Sequence, residues 1–184
     1  MSASPAARPA DDEFVPYYGK YIARVPESAA IPALERQLEG MLPLLRRLDD
    51  AQGALRYAPG KWSIKQVIGH LIDAERVFAY RALRFARADR TELPGFDENG
   101  FVEAAGFDRL PIRALVNELE LVRRSSLAMF GALDEQAWLR RGLANGAGVS
   151  VRALAFIIAG HGHHHVALLN ERYLPKPPAP GQAR

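Results

Sequence analysis

Apolar residues recur every three or four positions along four long stretches of this 184-residue chain, and no stretch alternates convincingly with a period of two. That periodicity restricts the fold to helices packed on helices. The first stretch runs from about Ser28 to Leu48, with Leu34, Leu38, Met41, Leu42, Leu45 and Leu48 on one stripe. Pro32 suits its first turn, and Pro43 predicts a kink. The second runs from Ser63 to about Ala88; Pro59-Gly60 breaks the chain before it, and Ser63 with Gln66 forms a capping-box pattern. The third runs from Pro111 to Leu133, on Leu115, Leu119, Val122, Leu127 and Phe130. The fourth runs from Ser150, its candidate N-cap, to Leu174, where Pro175 stops it. The expected fold class is all-α, a four-helix bundle with long connections between helices two and three (Thr91 to Leu110) and three and four. A short helix fits around Asp97 to Ala105, and a helical turn around Asp134 to Arg140. The expected domain organisation is an N-terminal arm over residues 1–20, loose in its Ala- and Pro-rich part, a bundle over 21–174, and a Pro-rich tail over 175–184.

Composition narrows the function. A 48% hydrophobic, 24% charged chain can build a core, which excludes disorder. Cysteine is absent, so disulfides, thiolate metal sites and thiol nucleophiles are excluded. The longest apolar run, Ala153 to Ala159, is too short to span a membrane, and Met1 to Glu13 lacks the apolar stretch of a signal peptide. The expectation is a cytoplasmic protein with no membrane partner. The +3 charge is spread over scattered arginines, including Arg46-Arg47, Arg123-Arg124 and Arg140-Arg141. These read as solvated helix faces, with no nucleic-acid partner expected.

The five histidines fall at positions 70, 161, 163, 164 and 165. Side chains advance about 100° per residue on a helix, so their directions can be worked out. On the fourth stretch His161 and His165 lie in the middle of the apolar stripe set by Leu154, Ile157, Ile158 and Leu168. His164 lies at its edge, and His163 faces water. On the second stretch His70 lies within the stripe of Val67, Ala74 and Phe78, with Asp73 one turn on and to the side. His161 and His165, four residues apart, can share a metal ion. Three inward imidazoles offer one another few good hydrogen bonds, whereas a divalent cation satisfies all three. A polar network in the core, or metal uptake by a His-rich surface tract, are the alternatives.

Three imidazoles leave a coordination position open, the pattern of catalytic rather than structural sites. Such donors favour zinc, nickel, cobalt or iron(II) over magnesium or calcium. A bound water would ionise near neutral pH and serve as nucleophile. Asp73 is the candidate catalytic residue, orienting a histidine or accepting a proton; its bland reading is a surface carboxylate paired with Arg76 or Lys65. Arg81 also points inward and needs a partner, either Glu118 or Glu120 or a substrate carboxylate.

The segment from Tyr57 to Arg76, Tyr57-Ala58-Pro59-Gly60-Lys61-Trp62-Ser63 through Gly69-His70-Leu71-Ile72-Asp73, resembles the second-helix signature of the DinB/YfiT-like superfamily. Gly160-His161-Gly162-His163-His164-His165 resembles its fourth-helix His-x-x-x-His signature, and Arg81 to Asp89 and Leu93-Pro94-Gly95-Phe96 extend the likeness. The resemblance implies a four-helix bundle with the first helix beside the second, then the fourth, then the third. It implies a divalent metal, nickel or zinc, held by His70, His161 and His165, and a homodimer. It also implies metal-dependent hydrolysis of a small-molecule substrate, or transfer or isomerisation using a low-molecular-weight thiol. A non-catalytic metal-binding module associated with stress is the reading from a different class.

Overall fold

The four long periodic stretches fold into four long helices, with bounds set by local chemistry. The structure, a computed structural model, describes residues 6–174. The first long helix, α2 (Ala30–Leu45), follows a short α1 (Pro16–Ile22). Pro32 sits in its first turn, where no backbone donor is needed, and Pro43 lies inside it, two residues before its end. After the single turn α3 (Asp50–Gly53) comes α4 (Ile64–Ala86). Its capping box is reciprocal: Gln66 N donates to Ser63 Oγ at 3.1 Å, and Ser63 N donates to Gln66 Oε1 at 3.0 Å. The short α5 (Glu98–Ala105) begins after Asp97, as expected. Next is α6 (Ile112–Gly131), with Pro111 one residue before it as N-cap. The turn α7 (Glu135–Leu139) is also as expected. The last helix, α8 (Val151–Leu168), is capped by Ser150 and ends in a π turn over Leu169–Tyr173. The expected tail from Pro175, and the stop assigned to it, lie outside the described residues.

Two expectations fail. A hairpin of β1 (Arg141–Ala144) and β2 (Ala147–Ser150) occupies the Gly-rich connection, where no strand was expected. Its turn residues Asn145 and Gly146 both have positive φ, 54° and 72°. Asn-Gly is the pair that tolerates this, and it closes a two-residue hairpin. The N-terminal segment is not loose from Ala6 onward. Arg8 donates to the carbonyl of Ile22 at 3.0 Å, Glu13 is buried against Arg152, and α1 packs on α8.

The helix order also differs from the one the resemblance implies. Both α2 and α4 pack against α8 and α6, so the circuit runs α2–α8–α4–α6 and the first two long helices lie diagonally. The reason is in α8. Every residue from Val151 to Gly162 except Arg152 is buried, and a helix that is apolar nearly all round belongs between neighbours. An amphipathic stripe tells which face is buried, not which helix covers it.

The core has two parts. One gathers α1, the C-terminal half of α4 and the first turns of α8, around Phe85, Phe130 and Phe156. The other gathers α2 and the N-terminal halves of α4 and α6, around Leu45, Ile68 and Leu115. Between them runs a belt of buried polar side chains: Gln37, His70, Glu75, Arg123, His161 and His165.

Candidate metal centre

One half of the belt is self-contained. Arg123 on α6 is 2% exposed. Its Nε donates to Glu75 Oε1 at 2.8 Å, and its Nη1 donates to the carbonyl of Leu34 at 2.9 Å and to Gln37 Oε1 at 2.7 Å. The charge is neutralised, and Nε and Nη1 both have acceptors. Arg123 therefore departs from the solvated face expected of it.

The other half is not self-contained. His70 from α4 and His161 and His165 from α8 are 4%, 7% and 7% exposed. Their Nε2 atoms converge, with His161 Nε2 3.1 Å from His70 Nε2 and 3.0 Å from His165 Nε2. Burial holds the pKa of His70 down to about 4, with the neighbouring His164 adding to the effect. Burial also holds His161 and His165 well below the usual histidine range, and mutual repulsion adds to it. All three are therefore neutral at pH 7. A ring nitrogen of a neutral imidazole carries either one proton or one in-plane lone pair. His161 Nε2 can accordingly serve one of its two neighbours well, not both. His165 Nδ1 is buried and finds no partner either.

A cation resolves this conflict, because it accepts three lone pairs at once. Imidazole nitrogens held at about 2.0–2.1 Å from a shared ion lie roughly 2.8–3.4 Å apart for angles between octahedral and tetrahedral. The two distances to His161 Nε2, 3.1 and 3.0 Å, fit that range, and all three ligand atoms lie within 4.8 Å of one another. Among the described residues this is the single group of three or more metal-ligating side chains brought together.

Two glycines let the helices close around His161. A Cβ at Gly160 would lie 2.1 Å from the carbonyl oxygen of Tyr21 on α1, and one at Gly162 would lie 2.4 Å from Gln37 Nε2 on α2. The sequence Gly160-His161-Gly162 thus admits α1 on one side and Gln37 on the other.

The cluster opens to a cavity of about 490 Å3 that reaches His70 and His161. Its floor is the inner face of α4, with Ala74, Phe78 and Arg81. The walls come from Gly95 and Phe96, from Glu98 on α5, from the hairpin residues Ala144, Asn145 and Ala147, and from Tyr17, Tyr18 and Tyr21 of α1. The two long connections supply wall, as their place in the sequence suggests. In the sequence, only the i, i+1, i+4 spacing of these tyrosines after Pro16 marks them as one helix face. The ring of Tyr21 lies 5.3 Å from that of His161, and burial raises the phenol pKa, so its hydroxyl stays protonated. Trp62 packs its ring 4.8 Å from that of His70.

The remaining sequence candidates are placed as follows. Asp73 does not join the histidines. It lies 3.9 Å from Arg76, which pairs with Glu118 at 2.7 Å, and burial raises its pKa while Arg76 lowers it and Glu118 raises it. That is the bland reading of Asp73, on the face toward α6. His163 is half-buried rather than facing water, and its Nε2 has no partner. His164 stacks edge-on to Tyr21, outside the group of three. Arg81 pairs with neither expected glutamate, because Glu118 is taken by Arg76 and Glu120 by Arg46 and Arg124.

Comparison with known proteins gives three findings. The profile of the DinB superfamily matches residues 33–169. A Geobacillus thermodenitrificans (strain NG80-2) protein named "Putative metal-dependent hydrolase" is 24% identical over 139 residues, 74% of this chain and 78% of its own. A solved structure, described as "YfiT from Bacillus subtilis is a probable metal-dependent hydrolase with an unusual four-helix bundle topology", is similar with a TM-score of 0.61 at 18% identity. It covers 91% of this chain and 95% of its own. This second likeness is one of fold.

Proposed function

From the premise that the chain belongs to the DinB superfamily, we propose that it is a metal-dependent hydrolase of a small molecule, with His70, His161 and His165 as the ligands of one divalent transition ion. The observation that carries this reading is the convergence of three neutral ring nitrogens that cannot satisfy one another, at the end of an open cavity. Imidazole donors suit zinc or nickel. Such an ion, when bound, supplies Lewis acidity and brings a coordinated water's ionisation near pH 7. The three histidines stay neutral through burial, so their lone pairs are free near pH 7 without competition from protons. The aromatic walls, Tyr18, Tyr21, Phe78 and Phe96, thin the water around a bound substrate and leave its reacting end against His70 and His161. Tyr21 keeps its proton and is a hydrogen-bond donor rather than a base. The reading assigns no proton-transfer role to Asp73, which faces Arg76.

Elemental analysis of the purified protein tests the ligand set: one ion per chain is expected, falling to near zero in His161→Ala with helicity retained. Equal metal in variant and parent overturns it. A screen of esters, amides and thiol conjugates with and without chelator tests the reaction. A low-molecular-weight thiol as an obligatory second reactant would make the protein a transferase instead. With this reading go the homodimer that the resemblance implies and the cytoplasmic setting expected from the sequence; sedimentation velocity tests the first. No helix among the described residues is long and apolar enough to cross a membrane.

A further inference from the structure

Arg81 is 4% exposed and lines the same cavity as His70 and His161. Its Nη2 donates to the carbonyl of Pro94 at 2.7 Å, and its guanidinium carbon lies 5.8 Å from the centre of the Phe78 ring. Tyr18 lies against it. None of these partners carries a negative charge, and no carboxylate pairs with it among the described residues. The other strongly buried guanidinium behaves differently, since Arg123 is neutralised by Glu75 at 2.8 Å. Arg152, partly buried, is paired with Glu13. A guanidinium has five N–H donors in a planar fork, and most of those of Arg81 remain for whatever enters the cavity.

The register along α4 matters as much as the charge. Arg81 follows His70 by eleven residues, which is about 20° off a whole number of turns and about 16 Å along the axis. Ala74 and Phe78 lie between them on the same face, and helix side chains lean toward the N-terminus, which aims Arg81 back toward His70. One wall of the cavity therefore offers, in line, an imidazole cluster, a small apolar floor, an aromatic ring and an uncompensated guanidinium.

We propose that the cavity selects substrates with a carboxylate at one end, held by Arg81, an apolar middle over Ala74 and Phe78, and the scissile group at the histidine end. This rests on the metal-dependent reading for where the chemistry occurs, but not for the anion subsite itself. Glu98, the one carboxylate among the lining residues, is exposed at the rim on α5.

The test compares 4-phenylbutanoate with its neutral isostere 4-phenylbutanamide, titrated calorimetrically into full-length protein stripped of metal, so that the carboxylate cannot score by binding an ion. The acid should bind at least tenfold more tightly than the amide. Arg81→Gln should erase that ratio, and Arg81→Lys should keep a preference for the acid while losing at least threefold in affinity, since an ammonium lacks the planar fork. Equal binding of acid and amide by the parent overturns the proposal, as does an unchanged ratio in Arg81→Gln. If Arg81→Gln does not fold, judged by its thermal transition, Arg81→Lys decides: unchanged affinity for the acid overturns it. Repeating the titration with zinc restored separates the two readings. A preference that appears only with zinc and survives Arg81→Gln sinks the subsite and leaves the metal centre standing. A preference that Arg81→Gln abolishes, in a protein that takes up no metal, sustains the subsite and removes the hydrolase reading.

Discussion

The two halves of the polar belt are made of similar raw material and behave in opposite ways. Around Arg123, a cation meets a carboxylate, an amide oxygen and a carbonyl, and each donor shown has an acceptor. Around His161, three neutral rings press the same kind of atom against one another, and one more buried nitrogen goes without a partner. The first arrangement holds helices α2, α4 and α6 in register and needs nothing further. The second leaves nitrogens unsatisfied, and on the proposed reading an ion from outside completes it. Burial alone, which both share, therefore says little about function; the balance of donors and acceptors separates a structural cluster from a receptive one.

The sharpest way to break this comparison is to cut the closed half. Glu75→Ala leaves Arg123 buried and uncompensated, and should cost about 3–5 kcal/mol in urea unfolding. A loss below 1 kcal/mol would mean that the cluster is wetter than its burial implies.

Acid acts next, and on the other half. In metal-free protein His70 has a folded pKa of about 4 against an ordinary value of 6.5. The unfolded chain then binds more protons between those values, so stability is full above about pH 6.5 and falls as pH drops toward 4. At about 1.36 kcal/mol per pH unit, His70 alone accounts for roughly 3 kcal/mol by pH 4. His161 and His165, shifted the same way, add to it. Unfolding midpoints measured in chelator at pH 7.5 and 4.5 check this. A flat profile would mean that the rings are hydrated.

Gly160→Ala probes the seam beside the receptive half. The added methyl meets backbone, which cannot swing aside, so a loss of about 1–3 kcal/mol is expected in the unfolding midpoint, together with exposure of Tyr21 to quenchers. The smallest effect on stability belongs to His161→Ala in metal-free protein, at about 1 kcal/mol or less. The gap left by the ring is offset by relief of the competing nitrogens. A loss as large as that of Glu75→Ala would erase the distinction between the halves.

Most of the bundle was legible because periodicity and caps are local. Ser63 with Gln66, Pro111 and Ser150 mark helix starts within a residue or two. The directions of His70, His161 and His165 followed from the same arithmetic. What escaped depends on pairing across the fold. The diagonal placement of α2 and α4 is a property of α8's all-round apolarity, which a stripe centred on one face obscures. The hairpin hides in four-residue strands, with Asn145-Gly146 as its only strong mark. Arg123 sits beside Arg124 in sequence, yet one is buried against Glu75 and the other exposed beside Glu120. Neighbouring residues on a helix point 100° apart, and only the partner helix decides which of them is covered. Asp73 lies beside Arg76 and Glu118, outside the group of three histidines, for the same reason.

His70 and His161 are separated by 91 positions along the chain. A proteolytic cut anywhere between them leaves neither fragment with the full set, while the downstream piece retains His161 and His165 one turn apart. On the proposed ligand set, a chain cut short in synthesis would keep one anchor, His70, a C-terminal cleavage fragment would keep two and hold an ion loosely, and the full set of three would hold it tightly. Affinity for the ion becomes a gauge of whether the chain is whole.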